Sequence, residues 1–404
     1  MSVWVTGLGI VAPTGLGVPD YWAATLAGRA GVRPLSRFDP VGYPATLAGE
    51  IDHFKASEHL PTRLLTQTDI STQFGLVAAA EALSDSALRP EDLGDYRAGV
   101  ITSNATGGFA FTHEEFRNLW ARGPEFVSVY ESFAWFYAVN TGQISIRHGL
   151  RGPGCVLVAE QAGGLDAIGH ARRTIRAGTP LVVTGGVDSS LDPWGWLSHC
   201  SSGRVSTAVD PGRAYLPFDR AAAGYVPGEG GAILLLEDAG AARARAAPAY
   251  GSIAGYAATF DPAPGSDRPP ALHRAAELAL ADAGLNPGDI DVVFADAAGV
   301  PELDEIEAAT LARLFGSGGV PVTAPKARTG RLYAGGGPLD VATALLALRD
   351  GVIPSTAEDI ELPPHRDLDL VVGEPREGPL RSALVLARGR HGFNSAIVVG
   401  AVPA

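Results

Sequence analysis

The chain has 404 residues, 46% of them hydrophobic, which is enough for a large core and too much for one small domain. A formal charge of −13 argues against nucleic acid and anionic membrane as partners, while leaving room for a local basic patch facing an acidic carrier. Two cysteines, Cys155 and Cys200, make no disulfide framework and point to reduced thiols in the cytoplasm, and no apolar run reaches the ~18 residues of a membrane span.

In chain order, Val3–Thr6 reads as a strand, entered without the basic flank of a signal peptide, and then a Gly/Pro turn and a helix near Pro19–Leu26. Residues 66–83 are helical by period, with Ile70, Phe74, Val77 and Ala78 on one face. Ala98–Thr102 is a strand, and Gly107-Gly108 lead into a helix from about Phe111 to Trp120. Glu131–Ile146 is apolar over much of its surface and is expected to be a buried helix. Cys155–Ala159, Leu181–Thr184 and Gly231–Leu236 are strands, with Gly163–Ile175 a helix between the first two. The Ala/Arg-rich stretch near 240–250 divides the chain into 1–245 and 246–404. The second part repeats the alternation: strand Tyr250–Thr259, helix Leu272–Ala283, strand Val292–Ala295, helix Leu303–Leu314, strand Val320–Thr323, a helix after Gly337, and terminal strands Ser382–Ala387 and Asn394–Val399. Pro262–Pro270 is a loop. Strands and helices alternating in both parts predict an α/β fold with mostly parallel strands.

Several motifs compete with plainer readings. Gly7-x-Gly9-x-x-Ala12 superficially matches a dinucleotide fingerprint, but Pro13 blocks a helix and no acidic residue follows at ~20 positions, so a tight turn is the better account. His113-Glu114-Glu115 starts like a zinc motif, yet position 117 is Arg, and no metal site is expected. Phe109, Thr112 and Phe116 share a helical face, which is either core or the wall of a tunnel. The stretch from Lys326 to Gly337 is either an anion-binding nest or a close-packed turn. The most informative segment is Val156-Leu157-Val158-Ala159-Glu160-Gln161-Ala162-Gly163-Gly164, a strand-turn-helix corner of the kind that presents a nucleophile. Its apex is an amide, which is no nucleophile. Glu160 beside it could act as a general base, but neither cysteine sits at a turn apex to be activated.

These segments, together with Tyr130–Gly142 and Gly392-Phe393-Asn394-Ser395-Ala396, resemble the β-ketoacyl synthases of the thiolase superfamily over nearly the whole chain. More narrowly, Ala159-Glu160-Gln161-Ala162 resembles the ketosynthase beta subunits, or chain length factors, of type II aromatic polyketide synthases. The resemblance implies a thiolase-like five-layered αβαβα sandwich with two pseudo-equivalent halves. It implies a Cys-His-His set in active relatives, matched here by Gln161, Ala298 and Arg331, so no catalytic residue is expected. The family's supporting residues are kept as Lys326, Asp304 and Glu307, and its oxyanion corner reads Gly389-Arg390-His391-Gly392-Phe393. It further implies a heterodimer with a catalytic ketosynthase alpha subunit, an acyl carrier protein that brings the phosphopantetheine arm, and no cofactor of the chain's own. A polyketide intermediate would extend into an interface tunnel gated by Phe109, Thr112, Phe116 and Trp194, of octaketide class. Two other readings remain: a malonyl-carrier-protein decarboxylase using Gln161, and a stand-alone homodimeric acyl-binding protein.

Overall fold

The glycines of Gly7-Leu8-Gly9 lie inside a strand and not in the expected turn. The computed structural model, which describes residues 2–89, 91, 93–263 and 265–402, shows β1 running from Val3 to Ala12. A Cβ on Gly7 would fall 2.1 Å from the Ala82 carbonyl oxygen, and one on Gly9 would fall 1.9 Å from that of Ala78. The glycines thus let a helix lie directly on the strand; they are there for close approach and not for a bend.

The remaining main strands of the first half are β2 (Ala98–Ser103), β3 (Gly154–Leu157), β4 (Leu181–Asp188) and β5 (Gly230–Asp238). Those of the second half are β6 (Gly251–Phe260), β7 (Val292–Phe294), β8 (Pro321–Thr323), β9 (Ser382–Arg388) and β10 (Phe393–Gly400). Their spatial order is β3-β2-β4-β5-β1 and β8-β7-β9-β10-β6, the same permutation twice, joined where β1 meets β6 at Trp4–Ser252 and Val5–Gly251. The expectation of mostly parallel strands needs correction. β2 is parallel to β3 and β4, and β7 to β8 and β9, but β1, β5, β6 and β10 pair antiparallel. In the second half the reason is local: the 389–392 turn between β9 and β10 is far too short for the crossover that a parallel pair requires.

The helices are α1 (Gly17–Leu26), α2 (Ile70–Asp85), α3 (Phe109–Arg122), α4 (Val139–His148), α5 (Gly163–Arg176), α6 (Pro193–Ser201), α7 (Leu272–Ala283), α8 (Pro301–Phe315) and α9 (Gly336–Asp350). Leu165, Ile168 and Ile175 of α5 share one core with Val341 and Leu345 of α9 and with strand residues of both halves. These two helices form the middle layer, and α9 is buried on every face because a sheet lies on each side. Phe74, Leu76 and Val77 of α2 cover the outer face of the first sheet, and Leu272, Ala276 and Leu311 of α7 and α8 cover that of the second. The result is the expected αβαβα sandwich with two like halves.

Glu131–Ile146 is not one buried helix. It is a single turn at Glu131–Ala134, a break, and then α4. Trp135, Phe136 and Ile146 are exposed, as are Trp120, Val129 and Leu197. Ala134, Val139 and Ile144 are buried, but none of the described residues covers Trp135, Phe136 or Ile146 fully. Beside this segment, β3 is an edge strand, partly accessible along its length.

Candidate functional site

The corner after β3 turns through Glu160, whose φ of +50° is in the left-handed region, and α5 starts at Gly163. Gln161 is fully buried and points inward. Its amide lies over the start of α9, where a Cβ on Gly336 would come within 2.3 Å of Nε2. Neither amide atom has a hydrogen-bond partner among the described residues. A Cβ on Gly335 would sit 2.0 Å from the Gly230 carbonyl oxygen, so the Gly-rich corner is a close-packed junction and its helix N-terminus is covered by Gln161.

A cleft of about 390 Å³ opens next to this corner, lined among others by Glu160, Tyr225, Ala298, Arg331 and Arg388. Ala298 offers it a methyl group. The Arg331 guanidinium is already committed: it pairs with the Asp296 carboxylate at 3.2 Å and donates to the Arg388 carbonyl oxygen at 2.6 Å. Below, Glu307 accepts the backbone N–H groups of Asp296 and Ala297, both at 2.7 Å, and Asp304 those of Phe218 and Gly299. Lys326 donates to the Ala295 carbonyl oxygen at 2.7 Å and pairs with Asp340 at 2.6 Å. Burial pushes the Asp304 carboxyl up to about 7. These residues brace the 295–299 loop from beneath. Glu160, the candidate base, accepts the Arg390 backbone N–H at 2.7 Å and so pins the Gly389–Phe393 corner to the turn. Cys155 lies within β3 and Cys200 within α6. At Gln161, Ala298 and Arg331 the described residues therefore present the cleft with no nucleophile and no uncommitted donor.

Phe109, Thr112 and Phe116 do lie on one face of α3, which starts two residues earlier than expected. Trp194 comes to them from α6. Asp192 caps that helix through the Trp194 and Gly195 backbone N–H groups, and His113 of α3 lies 3.0 Å from the same carboxylate, tying the two helices together. The Trp194 ring sits 5.0 Å from that of Phe109 and 5.5 Å from that of Phe116. Outside this cluster is an open groove of about 440 Å³ lined by Thr112, Phe116, Glu131, Ser132, Trp135 and Trp194. Inside it is a chamber of about 220 Å³ bordered by Phe109, which shares Glu160, Tyr225 and Arg390 with the cleft. The chamber thus adjoins the cleft through shared residues, and the packed rings of Phe109, on the chamber, and Trp194, on the groove, connect it to the groove.

Sequence reasoning passed over one constellation here. His199 is buried, stacked on Tyr333 at 4.8 Å, with Nε2 at 2.7 Å from Ser190 Oγ and Nδ1 at 2.6 Å from Tyr333 Oη. Burial, with the Arg390 charge adding to it, pushes the imidazole down to about 4, so it is neutral at pH 7. A lone histidine carries no pattern; the aromatic run Pro193-Trp194-Gly195-Trp196 was the signal available.

No helix among the described residues is long and apolar enough to cross a membrane, and no described cluster of His, Cys, Asp and Glu could hold a metal ion. The family model for the β-ketoacyl synthase N-terminal domain matches residues 1–241, and that for the C-terminal domain matches residues 250–358. The chain is 67% identical to the actinorhodin polyketide putative beta-ketoacyl synthase 2 of Streptomyces coelicolor, over 99% of this chain and 98% of that one. It is 58% identical to the tetracenomycin polyketide synthase ketoacyl synthase beta subunit of Streptomyces glaucescens, over 98% of each. Among solved structures, the ishigamide ketosynthase/chain length factor superposes with a TM-score of 0.89 at 28% identity, covering 100% of this chain and 99% of that one. A type II acyl-carrier protein in complex with its hexaketide-bound ketosynthase gives 0.90 at 26% identity, over 99% of each. The chain belongs to the β-ketoacyl synthase family, and within it to the ketosynthase beta subunits, or chain length factors, of type II polyketide synthases.

Proposed function

We propose that this chain is a non-catalytic subunit that pairs with a catalytic ketosynthase alpha subunit and limits the length of the poly-β-ketone made there, at the octaketide class. The observation that carries the reading is the ring cluster of Phe109, Phe116 and Trp194, which stands between an open groove and an inner chamber. Such rings present a large, rigid apolar surface that stops a growing chain by occupying the space it would enter. The groove lies within the exposed apolar surface formed by Trp120, Trp135 and Phe136, beside the open edge of β3, which suits it to be roofed by a partner. The relatives' names support a ketosynthase as that partner and an acyl carrier protein as a further one. The decarboxylase reading of Gln161 finds no support in a side chain without accessible surface.

The test is co-expression with a ketosynthase alpha subunit bearing an intact Cys-His-His set, a carrier protein and malonyl supply, followed by product analysis. The two subunits should co-purify, and Phe109→Ala should lengthen the product. Unchanged product length would remove the gate from this reading, and separate elution of the subunits would remove the heterodimer.

A further inference from the structure

The chamber behind the rings carries much more polar surface than the groove in front of them, although apolar surface still predominates in both. Its lining includes Tyr137, Ser190, Tyr225 and Tyr333, which carry hydroxyl groups, together with the charged Glu160 and Arg390. Both nitrogens of His199 are taken, one by Ser190 and one by Tyr333. A neutral imidazole has one N–H and one lone pair, so one of the two hydroxyls must donate to it and the other must accept from it. The accepting hydroxyl keeps its proton for another partner. If that hydroxyl is Ser190, its proton has no acceptor among the described residues. If it is Tyr333, the nearest is the Tyr225 hydroxyl at 3.4 Å, a long contact that passes the same requirement on to Tyr225. In either tautomer the cluster delivers an O–H donor to the chamber wall. Ser190 and Tyr333 are held in place by their surroundings: Tyr333 has a left-handed φ of +52°, and the Ala334 N–H beside it is fixed by the buried Asp188, which also binds the Ala105 and Thr106 backbone N–H groups at the foot of α3. One carboxylate therefore sets the relative position of the α3 entry and the Tyr333 turn.

Resting on the chain-length reading above, we propose that this chamber is a binding site for β-dicarbonyl groups at the far end of a chain that has passed the rings, with Ser190, His199 and Tyr333 as its specificity-determining residues. A poly-β-ketone presents a carbonyl or enol oxygen on every second carbon. A reduced acyl chain presents none, and would leave the chamber's donor buried and unpaired. Sites built around a hydrogen bond discriminate strongly against ligands that lack its partner. The rings then set how far an unmodified chain goes, and the chamber decides what kind of chain is accepted once the rings are reduced.

The experiment uses the complex with the ketosynthase alpha subunit in a Phe109→Ala background and reads the ratio of lengthened to parental-length product. Adding Ser190→Ala or His199→Phe should lower that ratio roughly five- to tenfold, the size of one lost hydrogen bond. Adding Ala105→Leu, which adds bulk at the chamber wall while keeping every hydroxyl and His199, should lower it at least as much. Acetylacetone is the direct probe: saturation transfer to it should be seen with the Phe109→Ala complex and lost with Phe109→Ala/Ala105→Leu. If Phe109→Ala lengthens the product but the second substitutions leave the ratio unchanged and acetylacetone does not bind, the chamber proposal is overturned and the gate stands. If Phe109→Ala has no effect on length, the gate reading fails and acetylacetone binding alone decides the chamber. Should His199→Phe not fold, Ser190→Ala and Ala105→Leu still give the answer.

Discussion

Arg331, which the family resemblance matches to a catalytic histidine, is held by a geometry that serves the fold. Arg331→Ala is the sharpest perturbation. It removes the charge that neutralises Asp296, which is 1% exposed, and leaves that carboxylate with the Arg388 backbone N–H at 2.9 Å. Breaking one side of a buried ion pair costs about 3–5 kcal/mol. The lower end applies here, because Arg331 lines the 390 Å³ cleft and water can follow the truncated side chain in. For a chain of this size ~3 kcal/mol corresponds to a melting temperature lower by roughly 3–6 °C. The assay is thermal unfolding of the purified heterodimeric complex at one fixed protein concentration, since partner binding shifts the midpoint. Arg331→Ala/Asp296→Asn should recover at least half of the loss, because it removes the stranded charge while keeping an acceptor for the Arg388 N–H. An Arg331→Ala complex that melts within 1 °C of the parent would refute the structural role.

Three further outcomes are expected. Gly9→Ala should give insoluble chain or a loss of about 3 kcal/mol, the top of the usual overpacking range, since its Cβ would lie 1.9 Å from the Ala78 carbonyl oxygen and neither backbone can yield; solubility on expression checks it. Lys326→Met should destabilise by about 3–5 kcal/mol at pH 8 by stranding Asp340, and by less at pH 5.5, because burial already pushes that carboxyl up to about 6 and protonation removes the charge; urea midpoints at the two pH values measure it. His199, held down to about 4 from an ordinary 6.5, gives stability that is complete above pH 6.5 and lost as pH falls toward 4, about 3 kcal/mol in all; the difference in urea midpoint between the parent and His199→Phe should therefore change in favour of the variant between pH 7.5 and pH 5.

What was legible in the sequence follows from what local pattern encodes. The alternation of strands and helices was enough for the layers, because each element carries its own period. Strand direction was not, because pairing depends on where the chain returns: β5 and β10 look like any buried strand, and only the 389–392 turn hinted at the antiparallel hairpin. Gly7 and Gly9 misled because a glycine needed for close approach and a glycine needed for a turn are the same residue on paper. Residues 131–146 misled for a different reason: an apolar side chain records that something will cover it and not which chain does so. At the site, Gln161, Ala298 and Arg331 were readable as departures from the family's motif. The ring cluster was only half readable. The i, i+3, i+7 spacing puts Phe109, Thr112 and Phe116 together, but Trp194 joins them from a helix more than seventy residues away, and no local signal announces that contact.

The braces around Gln161, Ala298 and Arg331 serve the fold whether or not the cleft carries out chemistry. A group that acts only on substrate contributes nothing to folding, so a methyl group at Ala298 costs the fold nothing. A group that answers a buried charge cannot be removed so freely, and Arg331 satisfies Asp296 and the Arg388 carbonyl. Asp304, Glu307 and Lys326 contact the backbone of the 295–299 loop and not the cleft's open space, so their removal would leave N–H groups and charges stranded whether or not any reaction takes place. The same reasoning applies across the corner. Gly336 leaves room for the Gln161 amide above α9, and Glu160 pins the loop that leads into β10. Catalytic and structural residues in this fold are thus separable by one question: whether the group's partner is in the protein or in the substrate. The ring cluster and the chamber behind it are where this chain still presents unmatched surface, and that is where its function should be sought.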